Sequence, residues 1–417
     1  MINKIKKNYF VIIIILLLVL FLPKTLMMPA LTNSRAIITG ISIDKKEDEF
    51  SLALQLITPQ SNISNNENLE IVDDTGSSLY ECFNNLSIKL GKVVGLEHVN
   101  IIILSDSLVD EDIMNLFDYL YRNTKISLST IIVQTNNEAK KLLESSAELN
   151  NNSSSSLQNN LGFSNELIET PNVTTLGNFF NDYYSFSSVS LLPYIETPEE
   201  KSEGGASSDS QGSGESGEQS SGSSGGSSSG GSPVQPLVKN NGESSVYKKG
   251  KLIGKITKEI SSGFTWVKSK NLKGIVKVEN VSDNKFYSNS TVVLDVQNTE
   301  KNIKYYVKNN MLNLDVNIDV YCLISEIIDN NQHSYKLMGS TTDYLTNKLK
   351  EKTSLKIKKD IQNSIDYMIE NNLDILNIYD TFYKYDKNNL RKVLNVYGKD
   401  YLSSLRVNYN INIYPLK

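Results

Sequence analysis

Two stretches of the chain alternate strictly. In "LNLDVNIDV", Leu312, Leu314, Val316, Ile318 and Val320 fall on one face, and Asn313, Asp315, Asn317 and Asp319 on the other. "LRVNYNINI" repeats the pattern, with Leu405, Val407, Tyr409, Ile411 and Ile413 set against Arg406, Asn408, Asn410 and Asn412. A period of two with one wet face predicts strands of an antiparallel sheet. "GIVKVEN" and "STVVLDVQ" read as further strands. The period becomes four over 342–371, where Leu345, Leu349, Thr353, Ile357, Ile361, Ile365 and Ile369 recur. That spacing predicts a helix of about 28 residues, roughly 42 Å long, lying on the apolar face of the sheet. With a shorter helix near 386–397, residues 263–417 read as an α+β domain: an antiparallel sheet packed on a long helix.

The first half mixes both periods. "RAIITGISID" and "EFSLALQLI" read as strands joined by the charged turn "KKED". Ser78-x-x-Glu81 is a capping-box signature, Leu79, Phe83, Leu86 and Leu90 share a helical face, and Gly91 closes that helix. "VNIIIL" (99–104) is a nearly continuous apolar run, as expected of a strand buried on both faces. Asp110, Glu111 and Asp112 open a helix whose stripe is Ile113, Leu116, Phe117 and Leu120. "ISLSTIIVQ" and "NNEAKKLLESS" add a strand and a helix. The order β-β-α-β-α-β-α defines an N-terminal α/β domain over 31–148.

Between these halves, 165–262 reads as a small middle domain. "TTLGNFFNDYYS" predicts a short helix, "SVSLLPYI" a strand, and "SSVYKKGKLIGKI" a hairpin turning at Lys-Lys-Gly-Lys. Gly204 to Ser232 interrupts it: 23 of those 29 residues are Gly or Ser, and Ala206 is the only apolar one. Such a run cannot bury enough surface to offset the entropy of ordering it, so 200–236 is expected to be disordered. The fold class is therefore α+β, three consecutive mixed sheet-and-helix domains.

The chain opens differently. Lys4, Lys6 and Lys7 precede the apolar run Phe10–Leu22, and apolar character resumes after Pro23-Lys24 as "TLMMPAL". No small-x-small cleavage site stands out, so 1–30 is expected to be an uncleaved signal anchor, a transmembrane segment spanning about 10–28. The lysines hold the amino end in the cytoplasm, leaving the body on the extracytoplasmic side of the membrane. No Cys follows the apolar run, which excludes a bacterial lipoprotein anchor. The net charge of −5 gives no global reason to expect nucleic-acid binding.

The chemistry of an enzyme is missing from the sequence. Cys82 and Cys322 are far apart, form no metal pattern and read as buried free thiols. His98 enters a buried strand and reads as a satisfied structural histidine; His333 sits in the polar "DNNQHSY". There is no G-x-S-x-G elbow and no phosphate loop. Asp73-Asp74 and Glu47, Asp48 and Glu49 read as solvated turns. No catalytic, cofactor-binding or metal-ligating residue is nominated, and no cofactor. The cluster Lys348, Lys350, Lys352, Lys356, Lys358 and Lys359 is either a solvated helix face or a contact for anionic lipid or an acidic partner. Asn62, Asn85 and Asn172 head Asn-x-Ser/Thr triplets that an Asn- and Ser-rich chain produces by chance.

Several stretches, in their order, resemble the spore-germination receptor C-subunit family (GerAC or Ger(x)C). "ITGISID" looks like the family's opening strand. "GSSLYECFNNLSIKLGKVVGLEHVNIIILSDSL" looks like its first helix and glycine-histidine-strand segment, with His98 at the histidine. Arg122 fits the arginine that ends the second helix. "SSVYKKGKLIGKI" matches the family's hairpin with Val246, Lys251, Leu252 and Gly254 in register. "LDILNIYDTFYKYDKNNLRKV" is similar to its "D-i-f-g-f-G" segment at Asp374 and Ile375, with Tyr379 in place of the second glycine. The family's lipobox Cys is absent, and Tyr397 or Tyr401 stands for its tryptophan near the last helix. The resemblance implies a non-catalytic, membrane-anchored subunit of a GerA-type nutrient germinant receptor on the spore inner membrane. It also implies A-type and B-type receptor subunits as partners, and a Ser/Gly run that is a loop within the middle domain rather than a tether. It assigns no small-molecule ligand. A surface-anchored binding or adhesion protein unrelated to germination is the alternative, and an extracytoplasmic hydrolase a second rival.

Overall fold

The computed structural model describes residues 35–58, 68–136, 138–145, 161, 167–168, 173–197, 240–283, 285–329, 333–335 and 341–416. The expected anchor at 1–30 and the whole expected loop 200–236, with its Ser/Gly run, lie outside them. Among the described residues, no helix is long and apolar enough to cross a membrane.

The first half is built on β1 (Arg35–Lys46), β2 (Glu49–Thr58), β3 (Asn68–Gly76), helix α1 (Leu79–Leu90), β4 (Val93–Gly95), β5 (Ile101–Ser105), α2 (Ile113–Thr124), β6 (Ile131–Thr135) and α3 (Ala139–Ser145). Ser78 caps α1 through Glu81 N–H, and Gly91 ends it in the left-handed region at φ 61°. β5 is buried at all five positions. Ile102 and Leu104 face α1 and α2, and Ile101 and Ile103 face α3. Asp44, at the end of β1, accepts hydrogen bonds from the Ala139 (2.7 Å) and Lys140 (3.4 Å) N–H groups. The strand thus helps to cap the amino end of α3.

β7 (Thr174–Thr175), α4 (Leu176–Tyr184), β8 (Val189–Ile195), β9 (Ser244–Lys248) and β10 (Lys251–Ile256) follow. The β9–β10 turn places Lys249 and Gly250 at φ 51° and 75°, as a two-residue hairpin of the primed kind requires. Its tip docks on α2, where Ile113 N–H donates to the Gly250 carbonyl at 3.0 Å. The Ser/Gly run leaves β8 and returns to its antiparallel neighbour β9, with Pro193 opposite Ser244, so its flanks belong to one sheet.

The remainder comprises α5 (Lys258–Lys268), β11 (Gly274–Val281), β12 (Ser290–Lys308), β13 (Met311–Ile328), β14 (Ser334–Tyr335), α6 (Asn347–Glu370), α7 (Ile378–Tyr385), α8 (Lys387–Tyr397) and β15 (Arg406–Pro415). Leu312, Leu314, Val316, Ile318 and Val320 are all buried, and so is the α6 stripe Leu349, Thr353, Ile357, Ile361 and Ile365.

Three expectations need correction. Strands β10-β9-β8-β6-β5-β1-β2-β3, with β4 on β1 and β7 on β6, form one ten-stranded sheet. The line drawn between 31–148 and 165–262 is therefore crossed by pairing of β6 with β8, Gln134 opposite Tyr194 and Thr135 opposite Ile195. The line at 262/263 falls inside α5, whose Gly263 packs on α6. Finally, the last sheet is mixed. β11, β12, β13 and β14 are antiparallel, but β15 runs parallel to β13 from Asn313–Arg406 to Cys322–Pro415. The helical path from α6 to α8 returns the chain to the end at which β13 began, and that fixes the direction.

Candidate functional site

The strands β8 and β9 are where the two halves meet. "VSLLPYI" is apolar nearly throughout, and all seven residues are buried. Val189, Leu191 and Val246 enter the core of the C-terminal sheet with Trp266, Phe264 and Ile361. Leu192 and Tyr247 point the other way, into the core of the first sheet with Phe117 and Phe179. The two strands are thus a wall with a hydrophobic core on each side.

A polar network closes one end of this wall, at the carboxyl ends of the parallel strands. Asp106, just past β5, accepts from Gln134 Nε2 of β6 at 2.7 Å, Tyr194 OH of β8 at 3.1 Å and Lys255 Nζ of β10 at 2.9 Å. Tyr247 OH of β9 donates to Gln134 Oε1 at 2.8 Å. Lys255 lies 3.7 Å above the centroid of the Tyr194 ring. Burial opposes its ammonium, but Tyr194 and Asp106 outweigh that and raise its pKa. The carboxyl edge of such strands is where open α/β sheets bind ligands. Here its polar groups are spent on one another, stitching the hairpin to the sheet.

The opposite end of the wall meets the helices after α6. Asp374 accepts from the Ile378 and Tyr379 N–H groups, both at 2.8 Å, and from Tyr401 OH at 2.8 Å. It caps α7 from three residues before Asn377, which occupies the left-handed region at φ 54° and makes no cap bond with its own side chain. Burial raises the Asp374 pKa against those three donors. The segment so fixed reaches the loop before β8. Asn377 Oδ1 accepts from Ser187 Oγ at 2.8 Å, and its Nδ2 donates to Asp182 at 3.3 Å. The Asp380 carboxylate accepts from Phe186 N–H at 3.1 Å. Burial raises Asp182 as well, with Lys268 opposing.

Among the described residues, no group of three or more His, Cys, Asp or Glu side chains is placed to hold a metal ion. His98 occupies an exposed turn between β4 and β5, not a buried strand; the chain enters the core only at Val99. His333 is exposed beside Asp329. Asp73 and Asp74 lie in the edge strand β3 rather than in a turn, and Asp73 pairs with Lys140 at 3.1 Å. Arg122 pairs with Asp118 one turn back at 2.7 Å. Both cysteines are fully buried, and burial pushes Cys82 up to about 11 and Cys322 up to about 12. A cleft of about 160 Å³ between α5, α6 and β11 is floored by Trp266 and rimmed by Lys258, Lys277, Lys356, Glu259 and Asp360. The sequence reading missed α5 and with it this cleft. Ile260, Phe264 and Val267 carried the only signal, at helical spacing.

Two known domains match the chain, and the boundary between them passes through the ten-stranded sheet, between β8 and β9. Residues 31–197 match the spore germination protein N-terminal domain, and 243–414 match the spore germination B3/GerAC-like C-terminal domain. The chain therefore belongs to the GerAC family of spore germination proteins. It is 21% identical over 186 residues to the putative spore germination protein YfkR of Bacillus subtilis (strain 168). That match covers 42% of this chain and 47% of the relative, about half its length. Its fold is similar to the crystal structure of the GerBC protein, with a TM-score of 0.51 at 13% identity, covering 91% of this chain and 97% of that one.

Proposed function

We propose that the chain is a non-catalytic, extracytoplasmic subunit of a GerA-type nutrient germinant receptor, acting in assembly and signalling beside A-type and B-type subunits at the spore inner membrane. The observation that carries this reading is the wall: β8 and β9 serve two cores at once and are latched at both ends, which fuses the halves into one body suited to bearing on partners. The polar groups at the carboxyl edge support it too, because they bond each other rather than presenting a nucleophile with a base. The family match supplies the setting.

Affinity purification of the tagged full chain from native spore membranes tests the proposal. Two multispan receptor subunits are expected among the proteins that come with it. Recovery of the intact chain without them would overturn the reading.

A further inference from the structure

We propose that the outer face of the amino-terminal half of α6 docks on an anionic phospholipid surface. The exposed crest of this helix carries Lys348, Leu355 and Lys359, with Lys352 half-buried between them and Lys356 and Lys358 on the flanks. Leu355 is 55% exposed, an apolar side chain set among lysines.

The charges stand the wrong way round for the helix itself. Its first turn holds no acid and its last turn no base. Lys348 and Lys350 occupy the opening turn, where the helix dipole disfavours cations, and Asp366 and Glu370 lie toward the carboxyl end. Between Asn347 and Asp360 there are six lysines and two acids, Glu351 and Asp360, in a chain whose net charge is −5. Among the described residues, only two of those lysines are paired with acids, Lys348 with Glu351 and Lys356 with Asp360. Lys352 donates to the Asn280 carbonyl, and Lys358 lies 5.4 Å from the centroid of the Tyr409 ring. A charge pattern that opposes its own helix is a local inconsistency of the kind found at functional surfaces.

The complement of this face is negative and flat. The lysines are spread along a helix rather than gathered on one bound anion, and their long stems allow the ammonium groups to meet headgroups while Leu355 reaches the acyl boundary. A layer of anionic headgroups attracts each such lysine, weakening about fivefold in binding for every one removed. The cleft on one flank sets Lys258, Lys277 and Lys356 against Glu259 and Asp360 and so adds little net charge to this face. This inference does not rest on the receptor assignment.

The test places the full chain in nanodiscs of phosphatidylcholine, or of phosphatidylcholine with roughly a third phosphatidylglycerol, made with brominated acyl chains. Leu355→Trp is the reporter, and the native Trp266 is buried and serves as the internal reference. Quenching of the reporter is expected in the anionic discs only. It is expected to be lost in about 1 M salt, where the screening length falls to about 3 Å, and in the triple variant Lys348→Gln, Lys358→Gln, Lys359→Gln. Unchanged circular dichroism of that variant separates lost docking from lost fold. No quenching in anionic discs, or equal quenching in neutral ones, would overturn the proposal. So would crosslinking of a reagent at position 355 to an acidic protein in place of lipid.

Discussion

Phe186 and Tyr379 lie face to face, ring centroids 3.5 Å apart and planes 8° from parallel, across the seam between the two halves of the molecule. Phe186 is 63% exposed, so the contact is not explained by burial alone. Tyr379 in turn stacks on Tyr383 at 6.1 Å, and Lys387 sits 4.4 Å from the Tyr383 centroid. The column continues the polar latch of Asp182, Ser187, Asn377 and Asp380. Its rings should therefore be energetically coupled. A double-mutant cycle of Phe186→Ala and Tyr379→Ala, read by urea denaturation, is expected to give a coupling of about 0.5–1.5 kcal/mol. A coupling indistinguishable from zero would mean that the stack holds nothing together.

The shared wall makes a stronger demand. Cys82 is buried in the first core and Trp266 in the second, and each core takes in residues of β8 and β9. If one wall serves both cores, both must be lost together. In folded protein, neither thiol should react appreciably with a disulfide reagent near neutral pH, since both are buried with pKa values raised to about 11 and about 12. Labelling of Cys82 and the fluorescence change of Trp266 should then share one urea midpoint. Release of Cys82 at clearly lower denaturant would show two independent bodies.

Gly263 fixes how closely α5 and α6 cross. A Cβ there would collide with Ser364 Oγ and with the carbonyl oxygen of Asp360, and the second of these is backbone. In an isolated helix, Gly to Ala stabilises by about 1 kcal/mol. Overpacking at a backbone contact costs about 1–3 kcal/mol and should win. Gly263→Ala is expected to lower the urea midpoint, and adding Ser364→Ala should recover only part of the loss. A stabilised single variant would rule out this crossing.

How much of this was legible in the sequence depended on range. The alternation of β13, the stripe of α6 and the Lys249-Gly250 turn are local patterns, and each element formed there, although α6 begins at Asn347 and leaves Leu345 outside the helix. α5 escaped because Ser261, Ser262 and Gly263 interrupt its apolar spacing, and those small residues are there to meet α6 rather than to favour a helix. β3 escaped because Asp73 and Asp74 have little strand propensity, and their place is an edge. The direction of β15 was not readable at all. Alternation reports which face is wet, and is the same for a parallel and an antiparallel neighbour. The wall was half legible: "SVSLLPYI" announced a strand, but not that its two faces belong to different cores. Nor did the sequence show the latch, whose partners Phe186 and Tyr379 come together only through the docking of whole elements.

Lys301 offers a test with a defined sign. Its ammonium, on β12, donates to the Trp266 carbonyl at 3.2 Å and the Val267 carbonyl at 3.1 Å, in the last turn of α5. Carbonyls at a helix end welcome a cation, but no carboxylate accompanies them in these contacts. Burial, with a smaller push from Lys270, lowers the Lys301 pKa from 10.5 to about 8. In the unfolded chain the amine keeps the higher value. Between these two pKa values the unfolded state holds a proton that the folded state has released, so this group makes stability rise with pH through that window and contributes no slope below it. The gain is about 1.4 kcal/mol per pH unit. Comparison of the native chain with Lys301→Met by urea denaturation from about pH 7 to pH 9.5 isolates it, because the other titrating groups are common to both. The native chain is expected to gain on the variant by about 2 kcal/mol over that interval. Parallel pH profiles would show that Lys301 remains charged in the fold and that its two carbonyls, with water, replace the solvation it lost.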